Sequence, residues 1–219
     1  MLTASDASKT SAALLIRSAQ AQDSAQRACA ALGESLWSPS KQNYNAGLNS
    51  SLSYEVYAGR YGNGQLFWVA SDAPSSRHHK QECTAIDVHG TCHNVQCHQN
   101  LPALCTQSAP ASNSTFSDTS NRFQIAQSVG EQTLVGYRDF YTFRFMGVRF
   151  ANEPERFTYS TPFLNATGTN SAINHAPECL QAPNNGSTDC LFLNVWTTSL
   201  PAPRAPKKEL KPVMVCQMK

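Results

Sequence analysis

A chain of 219 residues is long enough for one large domain or two small ones. Only 15% of it is charged, against about a quarter in an average domain, and the net charge is +2. Lys207, Lys208 and Lys211 form a local cluster without the broad basic stripe of a nucleic-acid binder, and no apolar run is long enough to span a membrane.

The N-terminus carries no basic region. Its longest apolar run, Ala12 to Ile16, falls short of the roughly seven residues of a signal-peptide core, so no signal peptide is visible. Asp23 is read as the N-cap of a helix whose Ala25, Ala28, Cys29 and Leu32 share one face, with Gly33 as its C′ residue. "SYEVYAG" (53–59) reads as a second short helix ended by Gly59, and "LFWVA" (66–70) as a buried strand. The remainder of residues 1–108 reads as loop-rich, held by Cys83, Cys92, Cys97 and Cys105. With so few apolar segments, disulfides are expected to supply much of its stability.

At "APASNSTFSDTSN" (109–121) apolar periodicity stops, which predicts a linker. Beyond it, "RFQIAQ" (122–127), "TLVGYRD" (133–139) and "YTFRFMGVRFA" (141–151) are rich in aromatic and β-branched residues and read as strands. "STDCLFLNVWTT" (187–198) is apolar on both faces, with Leu191, Leu193 and Val195 opposite Phe192 and Trp196. Such a strand is expected inside a large sheet covered on both sides. After Pro201, Pro203 and Pro206, "LKPVMV" (210–215) reads as another buried strand. These strands predict a sheet extending beyond the sequence, and apolar edges prone to association without it.

Eight cysteines and four Asn-X-Ser/Thr acceptors, Asn49, Asn113, Asn165 and Asn185, together point to the secretory pathway and to glycosylation. With no export signal in view, a missing N-terminal segment is expected.

"GYRDFYTFRFMGVRFANEPERF", "ECLQAPNNGSTDCLFLNVWTT" and "KPVMV", in that order and spacing, resemble the start of a type-B carboxylesterase of the α/β-hydrolase class, with secreted fungal members the nearest in look. The resemblance spans about residues 122–215 and implies a carboxylic-ester hydrolase family. It also implies a Cys179–Cys190 bridge closing a short loop against the strand, worth about 2–3 kcal/mol in the loop-entropy picture. One departure is Thr188, which stands where the family has Glu. That Glu pairs with the Arg matched by Arg156, so Arg156 is expected to be exposed or paired elsewhere.

Ester hydrolysis on this fold needs a Ser on a strand-to-helix elbow, a His, a carboxylate and an oxyanion loop of backbone N–H groups. In the family these follow the strand matched by "KPVMV", whereas this sequence continues "CQMK". The expectation is therefore a chain truncated before its machinery, without catalytic residues, whose ester substrate would belong only to a full-length form. "GESLW" (33–37) mimics the nucleophile elbow but lacks its second Gly, and Ser35 is read as lying at a helix C-terminus.

"AQRACAALGESLW", "LFWVA", "CTAIDVHG" and "CHQNLPALC" resemble a reduced C-type-lectin-like domain over about residues 20–106. This resemblance implies Cys29 paired with Cys105 and Cys83 with Cys97. It leaves Cys92 to compete for Cys97, stay free or link to another chain, and Cys216 without an assigned partner. The calcium-binding tripeptides of sugar-binding members are absent, so calcium-dependent sugar binding is not expected. Cys92-His93, Cys97-His98 and His89 raise a zinc reading, but the cysteines suit disulfides better; His78, His79 and His175 read as loop residues.

The combined expectation is an α+β chain. A small disulfide-linked, C-type-lectin-like module (1–108) and a linker (109–121) precede the first β-strands of a truncated α/β-hydrolase (122–219). It needs no cofactor or metal, binds no nucleic acid and has no membrane span. It is secreted, and a glycan or protein partner of the first module is the alternative route to function.

Overall fold

Pairs of adjacent apolar residues, Ala13-Leu14, Phe67-Trp68, Ala85-Ile86 and Ala103-Leu104, recur through the first half of the chain. On a strand such neighbours point to opposite faces, so these strands need cover on both sides. The computed structural model describes residues 2–3, 12–39, 44, 48–71, 82–181, 185–201 and 213–216 and meets that demand. Its first unit is a six-stranded sheet, in the order β1-β2-β6-β3-β4-β5. The strands are β1 (Leu2–Thr3), β2 (Ala12–Gln20), β3 (Leu66–Trp68), β4 (Glu82–Asp87), β5 (Cys92–Gln96) and β6 (Leu101–Thr106). All neighbours are antiparallel except β3 and β6, which pair in parallel.

Two helices cover this sheet. Ala25 and Cys29 of α1 (Gln22–Ala30) join Leu14, Trp68, Ala85, Ala103 and Cys105 in one buried cluster. Leu48 and Leu52 of α2 (Leu48–Tyr57) join Ala13, Phe67, Ile86 and Leu104 in the other. Each fully buried large side chain contributes about 1.5–3 kcal/mol. The first module is thus a two-faced sheet with more core than the loop-rich reading allowed. β2, β4, β5 and β6 all lie in segments that the sequence does not mark as strands.

The helix boundaries shift too. α1 starts at Gln22 with Ala21 at the N-cap and no side-chain cap, so Asp23 sits in the first turn and pairs with Arg27 at 3.0 Å. The Gln22 N–H is satisfied by the Cys97 carbonyl at 3.0 Å, a tertiary partner that removes the need for a capping side chain. The ends match the sequence reading. Gly33 (φ +70°) and Gly59 (φ +71°) occupy the left-handed turn after α1 and α2. There Glu34 N–H reaches Cys29 O and Arg60 N–H reaches Glu55 O, the paired closure that favours glycine.

The second unit is a five-stranded sheet of β7 (Gln124–Val129), β8 (Gln132–Arg138), β9 (Phe143–Arg149), β10 (Gly168–Ser171) and β11 (Phe192–Thr197). β7 pairs along β8 on one edge, while β10, in parallel, and β9, antiparallel, share its other edge end to end. β11 closes on β9 and is the last strand in the order β10-β8-β9-β11. Its position gives the open apolar edge that the sequence predicts for this strand without its further neighbours. It is a terminal strand with Leu193, Val195 and Trp196 at 40%, 38% and 53% exposure. Residues 213–216 are not in a strand, and Val213, Met214 and Val215 are exposed. The start of that expected strand, 210–212, and Lys207, Lys208, His78 and His79 lie outside the described residues. The chain is α+β and rich in strand, and none of its described helices is long and apolar enough to cross a membrane.

Candidate functional site

The β4–β5 hairpin brings several polar side chains of the first unit together. Asp87, at the end of β4, accepts the N–H groups of His89 (2.8 Å) and Thr91 (2.9 Å) on Oδ1, closing the turn around Gly90. Its Oδ2 lies 3.0 Å from His93 Nε2. Burial would raise the Asp87 pKa, but the His93 bond and the two backbone donors outweigh it and hold the carboxyl below its usual range. A carboxylate against an imidazole is two parts of a proton relay, yet here the carboxylate also builds the turn. Cys92 is exposed beside it and lies outside the three disulfides.

At the other end of the hairpin a shallow groove of about 560 Å³ runs along Glu82, Asn94, Val95, Gln96 and the turn His98–Asn100. Strand alternation builds it. Asn94 and Gln96 project outward while Val95 is half-buried, and Glu82 stands opposite Gln96 in register. Its lining is mainly side-chain amides, each offering both a donor and an acceptor.

In the second unit the polar contacts pin β11 to β9. Arg149 donates to Asp189 Oδ2 at 2.5 Å, and its guanidinium lies 4.4 Å from the Phe192 ring centroid. That hydrogen bond holds the Asp189 carboxyl below its ordinary pKa. Asn194 accepts the Gly147 N–H at 2.9 Å and meets His175 Nδ1 at 3.2 Å, so His175 packs against a strand residue despite its exposure. Sequence reasoning had not singled out Arg149 or Asn194. Arg156 is exposed, which is one of the two outcomes expected for it with Thr188 at the position of its expected partner.

The cysteines pair as Cys29–Cys105, Cys83–Cys97 and Cys179–Cys190, with Cα separations of 5.5, 5.0 and 4.9 Å. With Cys97 bonded to Cys83, the zinc spacing loses a ligand; among the described residues no group of three or more His, Cys, Asp or Glu side chains is placed to hold a metal. Ser35 is exposed just after the α1 turn, its backbone bonded to Thr106, so it sits on a helix exit and not on a strand-to-helix elbow.

The four sequon asparagines are exposed but differ in setting. Asn49 is in α2 and accepts from Ser53, Asn185 exchanges backbone bonds with Gln181, and Asn165 lies in an exposed loop. Asn113 Oδ1 accepts from Thr115 N–H and Oγ1 and from Phe116 N–H.

The strands from β7 to β11 follow one another in the segment that carried the esterase-like blocks. Residues 123–217 match the Carboxylesterase family. No curated protein and no solved structure matches the chain. The match supports membership of the carboxylesterase family; it begins at Phe123, just before β7, and takes in every strand of the second sheet. The Arg149–Asp189 pair, the Asn194–Gly147 bond and the Cys179–Cys190 loop all lie inside the segment that matches the family.

Proposed function

We infer that residues 122–219 are the opening β-portion of a carboxylesterase-family unit, that residues 1–108 are a C-type-lectin-like module, and that this 219-residue polypeptide does not by itself hydrolyse esters. The observation that carries the reading is the family match over residues 123–217. The case for inactivity rests on chemistry. Acyl transfer needs a serine on an elbow, a base and an oxyanion hole within reach of one another. The sequence contains no Gly-X-Ser-X-Gly, and its nearest mimic, Gly33-Glu34-Ser35, is a helix exit whose glutamate is buried in an ion pair. The lectin-like reading draws support from the order β2-β6-β3-β4-β5, from the bond between Cys29 on α1 and Cys105 on the last strand, and from the Cys83–Cys97 bond across the β4–β5 hairpin. Three disulfides and exposed sequons fit a secreted glycoprotein.

Purified chain is expected to hydrolyse p-nitrophenyl acetate no faster than a heat-denatured control. Sustained turnover abolished by a serine-directed fluorophosphonate would overturn the inactive reading.

The groove beside β5 favours a second reading, a non-catalytic binding module. Amide side chains suit a neutral, hydroxyl-rich ligand, so a glycan bound there should be retained in EDTA and lost in Asn94→Ala/Gln96→Ala. Binding that needs calcium, or that survives this double substitution, counts against it.

A further inference from the structure

The residues first read as a linker are not left loose between the two sheets. Phe140 N–H donates to Pro110 O (3.2 Å), Ser112 N–H to Asp139 Oδ2 (2.5 Å) and Gln107 Nε2 to Asp139 O (3.1 Å). Ala109 is 1% exposed. Beneath these stitches lies a buried ion pair. Glu34, from the turn after α1, meets Arg138, the last residue of β8, at 3.1 Å, with side chains 2% and 1% exposed.

We propose that this Glu34–Arg138 pair is an intersheet latch: it couples the two units into one mechanical body and stops residues 109–121 from acting as a hinge. The geometry on each side is that of a receptor and a plug. Glu34 accepts from Thr106 Oγ1 (2.6 Å) and from the N–H and hydroxyl of Ser108 (3.0 and 2.7 Å) as well as from Arg138. Arg138 donates to Gln107 Oε1 (2.8 Å) and Leu32 O (2.7 Å), and its guanidinium lies 5.6 Å from the Phe123 ring centroid. Leu32 and Glu34 follow Cys29, and Thr106 to Ser108 follow Cys105. The Cys29–Cys105 bond therefore fixes both walls of the receptor, and Arg138 enters from the other sheet. Arg122, bonded to Ser108 Oγ at 3.2 Å, adds positive charge beside the pair and makes the carboxylate more necessary.

A buried ion pair adds little over an apolar pair of the same shape, but losing one partner strands a charge. Its effect is therefore to penalise other arrangements of the two sheets, since sliding them apart would leave Arg138 buried without an anion or expose the receptor.

The test is hydrogen–deuterium exchange on the full chain, followed at the Ser112 and Phe140 amides and, as reference, at the first-sheet amides of Ala85 and Leu104. In the wild type, Ser112 and Phe140 are expected to be protected, and thermal unfolding to be one transition. In Arg138→Gln their exchange is expected to rise at least about 10-fold while the reference amides keep their protection. Unchanged exchange at Ser112 and Phe140 in this variant overturns the proposal. If the variant does not fold, the wild type decides: linker amides that exchange like an unfolded chain, or two separate melting transitions, overturn it equally.

Discussion

A buried carboxylate keeps its charge only when donors replace the water it has lost, and Glu34 shows what that requires. Burial alone would raise its pKa, but the Thr106 hydroxyl, the Ser108 N–H and hydroxyl and the Arg138 guanidinium more than compensate, leaving it below the ordinary glutamate value. The sign of the resulting pH dependence follows. A folded-state pKa below the unfolded one gives stability that is complete above the unfolded value, near 4.5, and is lost as pH falls through the folded value. The melting temperature of the wild type should therefore fall below pH 4.5, and Glu34→Gln should lower stability at pH 7 while flattening the acid limb. Melting curves from pH 7 to pH 2 measure this; an identical acid limb in Glu34→Gln removes Glu34 from the account. Asp87 adds to the same limb through its depressed pKa, so the flattening is partial. None of this was legible in the sequence, where Glu34 stood out only as part of a false nucleophile elbow. Its partner is far away along the chain, and no periodicity records such a pairing.

At the level of elements, legibility followed local chemistry. The glycine-closed ends of α1 and α2 were readable because the turn after a helix needs a left-handed residue, whatever else the chain does. β7, β8 and β9 were readable because aromatic and β-branched residues suit a pleated surface and turn residues separate them. The misses have tertiary causes. β2 contains an Ala-rich apolar run that in the sequence is only too short for an export signal, and it becomes a strand by pairing with β6. β10, Gly-Thr-Asn-Ser, has almost no intrinsic strand preference and exists because β8 offers it a parallel edge. The cap on α1 was misplaced because the Cys97 carbonyl does the work of a side chain.

β11 is legible in the sequence both as a strand and as an open apolar edge, and a prediction belongs to it. Terminal strands with exposed apolar side chains template pairing with other chains. The chain should associate as its concentration rises, and Leu193→Lys/Val195→Lys should reduce that association by sedimentation velocity while changing monomer stability by about 0.5 kcal/mol or less. If the double variant associates as strongly as the wild type, the contact lies elsewhere.

For the whole molecule, the two units differ in what holds them. The first has a core on each face of its sheet and the Cys29–Cys105 bridge, worth about 4–5 kcal/mol for so long a loop in the chain-entropy picture. The second has fewer buried residues, among them Tyr137, Phe145, Met146 and Ala172, and it borrows rigidity from the junction. That asymmetry accounts for the unequal reach of sequence reasoning: esterase-like blocks mark the second unit, while the firmer architecture of the first leaves only its cysteines and a few apolar pairs to read.

The parallel seating of β10 carries a kinetic consequence. β7, β8 and β9 form a meander joined by tight turns, whereas β10 reaches β8 only after the excursion over residues 150–167. Closing that span costs chain entropy before any ladder bond repays it. The meander should therefore zip first and β10 slot in afterwards, so that until that late step the Val135 carbonyl and the Met146 N–H, both paired with Ala172 just after β10, stay open to water.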